Sequence, residues 1–271
     1  MKEDNSHYII EGGEEGKARL NVLSDALFSY TKTLLEKLGL KENMYFLDNG
    51  CGGGNVALMV AKMVDKNGKV IGIDFDESII DLCKQDAVKQ QIFNVSFNTQ
   101  TAYELNYVNE FDISYARFLL SHLNNPKLAL EKMVEATKPD GVVVIEDLQF
   151  SGHFCYPTNE AFTTYMQLYS KAIELNGGNA EIGPSLIELF KEVGLTNIQF
   201  EIIQPVFTKG TGKWMAYLTL EKIKQKLIAA SLIELEAINT LLQQLKQFTE
   251  DENTLMSLPR MFRVWGTKVN S

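Results

Sequence analysis

Apolar residues recur at helical spacing across residues 14–38. Ala18, Val22, Leu23, Ala26, Leu27, Tyr30, Leu34, Leu35 and Leu38 form one stripe, and Gly39 ends it. Ahead of this helix, Tyr8-Ile9-Ile10 followed by Gly12-Gly13 is a short apolar patch beside a glycine joint. From residue 44 the period changes. Short apolar runs at 44–47, 69–73, 95–99, 111–115 and 142–146 predict strands, and helical patterns at 55–64, 77–90 and 126–137 lie between them. Lys138-Pro139-Asp140-Gly141 reads as a turn before the fifth strand. Strands alternating with helices predict an α/β fold with a parallel sheet, right-handed crossovers and helices on both faces.

After the fifth strand the alternation loosens. Residues 158–175 read as a helix closed by Gly177-Gly178, and 184–193 as another stopped by Gly194. A sixth strand is expected at 198–206. Helices at 215–229 and 231–248 follow the breaks at Gly210 and Gly212, and a last strand at 260–266 closes the chain. Ser231 and Glu234 have the spacing of a capping box at the start of the second of these helices.

The chemistry concentrates at the first strand–helix joint, Asp48-Asn49-Gly50-Cys51-Gly52-Gly53-Gly54-Asn55. Glycines there let the backbone turn sharply and approach a ligand, and the helix beyond presents unpaired N–H groups. A dinucleotide fingerprint wants a third glycine where Asn55 stands. The second strand ends on Asp74, a carboxylate placed to accept both hydroxyls of a ribose, while Asp76 and Glu77 serve the start of the next helix.

The run Asp48, Gly50, Gly52, Gly54 resembles the first motif of class I S-adenosylmethionine-dependent methyltransferases, (Asp/Glu)-x-Gly-x-Gly-x-Gly. The segment Phe111-Asp112-Ile113 through His122-Leu123 resembles that family's fourth-strand motif. The likeness covers residues 45 to about 148. It is broadest to the ubiquinone- and menaquinone-biosynthesis-like group of small-molecule enzymes. It implies a Rossmann-like, doubly wound, seven-stranded, mostly parallel sheet with a late antiparallel strand. It also implies S-adenosylmethionine as cofactor and in-line transfer of its methyl group to a small-molecule acceptor.

Carried onto this chain, the resemblance puts Asp48, Asn49, Gly50, Cys51, Gly52, Asn55, Asp74 and Phe75 at the cofactor, with Phe75 on the adenine. Gln100-Thr101-Ala102 stands where the family often has Gly-Asp-Ala, so Thr101, the Ala102 backbone and Tyr103 are expected at the adenine, and the backbone around Ala116 and Arg117 would meet the methionine end. The catalytic residue is left open among His153, Tyr156, Glu146 and His122, with Asp147 beside them. Tyr8, Arg117, His153 and Tyr156 are candidate substrate contacts. Lys17 and Arg19 read as a solvated helix face.

The whole chain is expected to be one domain. Residues 1–43 form an N-terminal lid and helix, and 44–150 the cofactor-binding half. Residues 151–197 are a loop and helical insertion, and 198–271 hold the last two strands with a helical insertion at 210–258.

Two other readings share part of these signals: a nicotinamide-dependent oxidoreductase, and a non-catalytic S-adenosylmethionine-binding protein on the same fold. Composition adds bounds. The formal net charge of -9 disfavours nucleic acid as a partner. Cys51, Cys83 and Cys155 form no CxxC pair, so no metal is expected. The N-terminus has no apolar leader and no run is long enough to span a bilayer, which makes the cytoplasm the expected location. A homodimer is the assembly state to test.

Overall fold

The computed structural model describes residues 13–270, with side chains from Gly16 onward. Tyr8, read above as a substrate contact, lies outside the described residues. The long helix α1 (Gly13–Lys37) leads into β1 (Tyr45–Asn49), α2 (Asn55–Met63), β2 (Lys69–Asp74), α3 (Glu77–Lys89), β3 (Val95–Thr99), β4 (Phe111–Arg117), α4 (Pro126–Ala136) and β5 (Thr137–Gln149). Then come β6 (Cys155–Tyr156), α5 (Glu160–Leu175), α6 (Leu186–Glu192), β7 (Thr196–Ile203), β8 (Val206–Phe207), α7 (Met215–Ala229), α8 (Leu235–Glu250), β9 (Leu255–Ser257) and β10 (Arg260–Thr267).

The main sheet has seven strands in the order β3-β2-β1-β4-β5-β10-β7. β10 alone runs antiparallel to its neighbours, β5 and β7. This is the expected fold, late antiparallel strand included. Chain order reverses between β1 and β4, which pair directly through Phe46 and Ile113. In open α/β sheets such a reversal opens a crevice at the carboxyl ends of the strands, and the glycine-rich joint lies there. Both faces are covered because the strands are apolar on both sides: Phe46 packs with α2 and α3, and Leu47 with α4.

A second apolar core lies beyond the end of β5. Phe162, Tyr165 and Tyr169 of α5, Leu220 and Ile223 of α7, and Ile238 and Leu241 of α8 pack with Leu148 and Phe150. Helix α1 joins the two layers. Leu34 and Leu35 pack with the sheet core, whereas Leu23 and Leu27 pack with Met215, Leu258 and Met261.

Three local expectations change. β5 starts at Thr137, not 142, because Thr137 pairs with Phe111 and Val142 with Ile113. The residues between are bulged out of an otherwise continuous strand, with Asp140 at φ 62°. The expected strand at 198–206 is split at Gln204-Pro205, where proline has no donor for the ladder. Its second piece, β8, joins a three-stranded sheet, β6-β9-β8, whose strands are too short to show a period. Ser231 does not cap α8. It sits at φ 55° with its N–H on the Ile228 carbonyl, closing α7, and α8 begins after Glu234.

Candidate active site

The glycine-rich joint is held from below. Asp48 is buried at the end of β1, and its Oδ2 accepts the Ala57 N–H of α2 at 3.1 Å. Gly50, Gly52 and Gly54 have φ of 72°, 49° and 75°, a region that favours glycine. Asp74 latches the loop. Its Oδ2 accepts the Gly52 N–H at 2.9 Å, and its Oδ1 accepts the Asp76 N–H at 3.1 Å. Asp76 caps α3 by accepting from Ser78 and Ile79, which leaves Asp74 to the loop and the crevice. Helix α2 has no side-chain cap. The Asn49 amide is buried with neither Nδ2 nor Oδ1 hydrogen-bonded.

These residues form one end of a cavity of about 1140 Å³. Gly50, Cys51, Gly52, Asn55, Asp74 and Phe75 line it, and Thr101, Ala102 and Tyr103 form its rim beyond β3. Arg117, Leu119 and His122 continue it past β4. The other end is roofed by the cap helices and holds Phe150, His153, Tyr165 and Tyr169, with Met215 and Thr219 from α7. A bare backbone in a left-handed turn, an uncapped helix start and a carboxylate one strand away suit an adenosyl group with an amino-acid tail.

Burial sets the charges. It pushes the Asp48 carboxyl up to about 7, against the pull of the Arg117 guanidinium and the Ala57 N–H. Burial also raises Asp74, opposed by the backbone N–H groups of Asp76, Gly52 and Phe75. It lowers His153 to about 3, and His122 to about 3 with help from the Arg19 charge, so both imidazoles are neutral at pH 7.

The Asp48 shift has a testable sign. Folding raises this pKa, so between 3.8 and about 7 the folded chain binds the proton more tightly than the unfolded chain. The associated stability is present below the unfolded value and is lost as pH rises through about 7. Asp48→Asn keeps an oxygen for Ala57 and cannot ionise. Its melting temperature relative to the parent is expected to rise by a few degrees between about pH 5 and pH 8. A flat or falling difference in thermal scans overturns the assignment.

The pattern of the methyltransferase domain family matches residues 40–219. An uncharacterized methyltransferase of Schizosaccharomyces pombe is 31% identical over 154 residues, which are 54% of this chain and 55% of that protein. The demethylmenaquinone methyltransferase of Halalkalibacterium halodurans is 25% identical over 216 residues, 73% of this chain and 87% of that protein. In fold, the crystal structure of a putative methyltransferase from Bacillus halodurans superposes with a TM-score of 0.60 at 19% identity, covering 88% of this chain and 98% of that one. The chain belongs to the methyltransferase domain family. The nicotinamide reading finds no support among these relatives. With several of the curated relatives, the match spans little more than half their length.

Several site expectations for this methyltransferase need correction. Glu146 is not a base in the cavity. It is fully buried between strands, its Oε1 3.0 Å from Arg263 Nε, and its Oε2 accepts the hydroxyls of Thr31 at 2.9 Å and Tyr115 at 2.8 Å. Tyr156 is 68% exposed on β6 and lies away from the cavity lining, because β6 pairs outward with β9. Ala116, whose backbone was expected at the methionine end, is packed in the sheet core and is not part of the cavity lining, whereas Arg117 is. Asp147 is buried, with Oδ2 accepting the Ser121 N–H at 3.0 Å, and burial raises it to about 6.

His153 does line the cavity, wedged edge-on between Phe150 at 4.8 Å and Phe162 at 5.4 Å, with Nδ1 unpartnered. Lys17 and Arg19 are not solvated. Lys17 is buried against Asp86 at 2.8 Å, and Arg19 enters the cavity wall with its Nε donating to Thr219 Oγ1 at 3.1 Å. Tyr165, Tyr169 and Thr219 were not singled out from the sequence. The sequence places them on two helices far apart in the chain, which carries no signal of a shared cavity.

Proposed function

We propose that this methyltransferase moves the methyl group of S-adenosylmethionine onto a small-molecule acceptor seated beneath the cap helices. The observation that carries the reading is the continuity of one cavity from the glycine loop to the aromatic chamber. When bound, the cofactor supplies an electrophilic methyl on a sulfonium. The chain's own residues do the rest. The backbone at Gly50 and Gly52 cradles the amino-acid tail, the Asp74 carboxylate accepts the ribose hydroxyls, and Phe75 packs on the adenine beside Thr101, Ala102 and Tyr103. Asp48, Asn49, Cys51, Asn55 and Arg117 complete the cofactor end.

The chamber holds the acceptor in line and excludes water, which accounts for much of such an acceleration. His153 and His122 line the chamber as neutral imidazoles that can accept a hydrogen bond from an acceptor hydroxyl or amine, while burial makes both weak bases. The chain acts as one catalytic unit, with residues 151–197 and 210–258 as its acceptor cap. Among the described residues no helix is long and apolar enough to cross a membrane. The acidic balance supports a diffusible cytoplasmic substrate rather than nucleic acid, and light scattering tests a homodimer.

Calorimetry with S-adenosylmethionine, S-adenosylhomocysteine and NAD tests the cofactor end. The first two are expected to bind and NAD not. Asp74→Ala should weaken the first two about tenfold or more, the effect of losing a charged acceptor. Methyl transfer to an acceptor panel tests the activity. Tyr156→Phe, outside the cavity, should leave rate and cofactor affinity within about twofold of the parent. A large loss in that variant would return Tyr156 to the site.

A further inference from the structure

We propose that Arg19 is the anion clamp of the acceptor chamber, and that the acceptor is a small aromatic molecule bearing a carboxylate. This rests on the methyl-transfer reading above and names its substrate class.

Arg19 is 7% exposed, and its guanidinium donates through Nε to Thr219 Oγ1. Among the described residues no carboxylate lies within ion-pair distance of it. A buried cation without a counter-charge is costly, and a guanidinium keeps its proton at any ordinary pH. The site is therefore built for an anion that arrives with a ligand.

The other cation of the cavity is already committed. Arg117 donates from Nη1 to Thr31 Oγ1 at 3.1 Å, and its charge acts on Asp48. The carboxylates that line the cavity, Asp48, Asp74, Asp76 and Glu104, all stand at the loop end or on the rim beyond β3. Arg19 instead faces the chamber. Thr219 is on α7, and the Arg19 charge also acts on Tyr165 of α5 and on His122. The glycine loop is met by other residues of α1. A Cβ on Gly52 would lie 3.2 Å from Leu20 Cδ1, and one on Gly53 would lie 3.6 Å from Lys17 Cγ. That placement assigns the clamp to the acceptor and not to the cofactor's own carboxylate.

The wall beside the clamp sets the rest of the ligand. Phe150 and Tyr169 stack at 4.1 Å with 20° between their planes, and Tyr165 stands 5.9 Å from Phe150. Such a wall receives a flat ring offset-stacked or edge-on. One guanidinium, with the hydroxyls of Thr219 and Tyr165 beside it, carries a single positive charge and matches a monoanion. A phosphate dianion would leave a charge unpaired in this apolar chamber. A carboxylate takes the guanidinium fork in two parallel hydrogen bonds.

The test titrates protein saturated with S-adenosylhomocysteine against 4-hydroxybenzoate and its neutral amide, 4-hydroxybenzamide. The parent should bind the carboxylate roughly tenfold or more tightly than the amide. Arg19→Gln should bind the two probes alike and keep its S-adenosylhomocysteine affinity within about threefold of the parent. Arg19→Lys, a point charge without the fork, should fall between. If Arg19→Gln does not fold, Thr219→Val removes the hydroxyl that holds Nε. It should lower carboxylate affinity several-fold while leaving the amide unchanged.

Equal affinity of the parent for both probes, or binding of neither, overturns the clamp. A tenfold loss of S-adenosylhomocysteine in Arg19→Gln also overturns it, since the guanidinium would then serve the cofactor. A parent that binds no S-adenosylhomocysteine fails the methyl-transfer reading instead, a result read before any probe is added.

Discussion

Glu146→Ala is expected to cost about 3–5 kcal/mol of stability, the penalty for breaking a buried ion pair from one side. The pair is built into the sheet. Arg263 on β10 stands opposite Glu146 on β5 and opposite Glu201 on β7, and it bonds to both at 3.0 Å. Its guanidinium also donates to the Tyr30 carbonyl of α1. Removing Glu146 leaves Arg263 with the part-exposed Glu201 and the Tyr30 carbonyl, and strips the Thr31 and Tyr115 hydroxyls of their acceptor. For a chain of this size the loss corresponds to a fall in melting temperature on the order of 10 °C. Glu146→Gln keeps hydrogen-bonding oxygen and nitrogen in place and should lose less. Thermal unfolding of both variants is the measurement. If Glu146→Ala melts within about 2 °C of the parent, the pair does not hold β5, β10 and α1 together.

The second large effect is on the cofactor. Gly52→Val is expected to weaken S-adenosylmethionine binding by about a hundredfold or more while leaving the chain folded. At φ 49° a β-branched residue is strained, and the added Cβ would meet Leu20 Cδ1 at 3.2 Å. Relief of either moves the Gly52 N–H away from Asp74 Oδ2, so the variant disturbs loop and carboxylate together. The strain lies in a loop at the edge of the crevice, not in the sheet, so unfolding should shift by only a few degrees. Gly52→Ala, with the same φ problem and less bulk, should fall between. Calorimetry with S-adenosylmethionine beside a thermal scan separates the two effects. Near-parental affinity in the valine variant would falsify the cradle.

The local order of this molecule was readable from residue spacing. Strand, glycine turn and helix follow one another within about ten residues, and each step is a short-range steric or hydrogen-bonding preference. Asp48, the glycines and Asp74 therefore fell where expected, whereas the late antiparallel β10 was implied by the family resemblance and not by spacing. α7 spans Met215–Ala229, the bounds expected after the breaks at Gly210 and Gly212.

What spacing could not decide was which of two environments a polar side chain enters. Glu146 ends the predicted fifth strand like a site residue, yet β10 returns from over a hundred residues later and places Arg263 across from it. Tyr156 sits in a chemistry-rich loop, yet pairing with β9 turns it outward. Ser231 has the spacing of a cap, yet a left-handed backbone uses it to end the helix before. Arg19 reads as one more charge on a helix surface until α5 and α7 fold over it and convert that surface into a cavity wall. Each of these outcomes depends on a contact between segments far apart in the chain. Sequence by itself determined the fold class and the glycine-rich joint, which are local or periodic. Tertiary structure alone decided which charges are buried and what they meet, because desolvation is set by what packs on top.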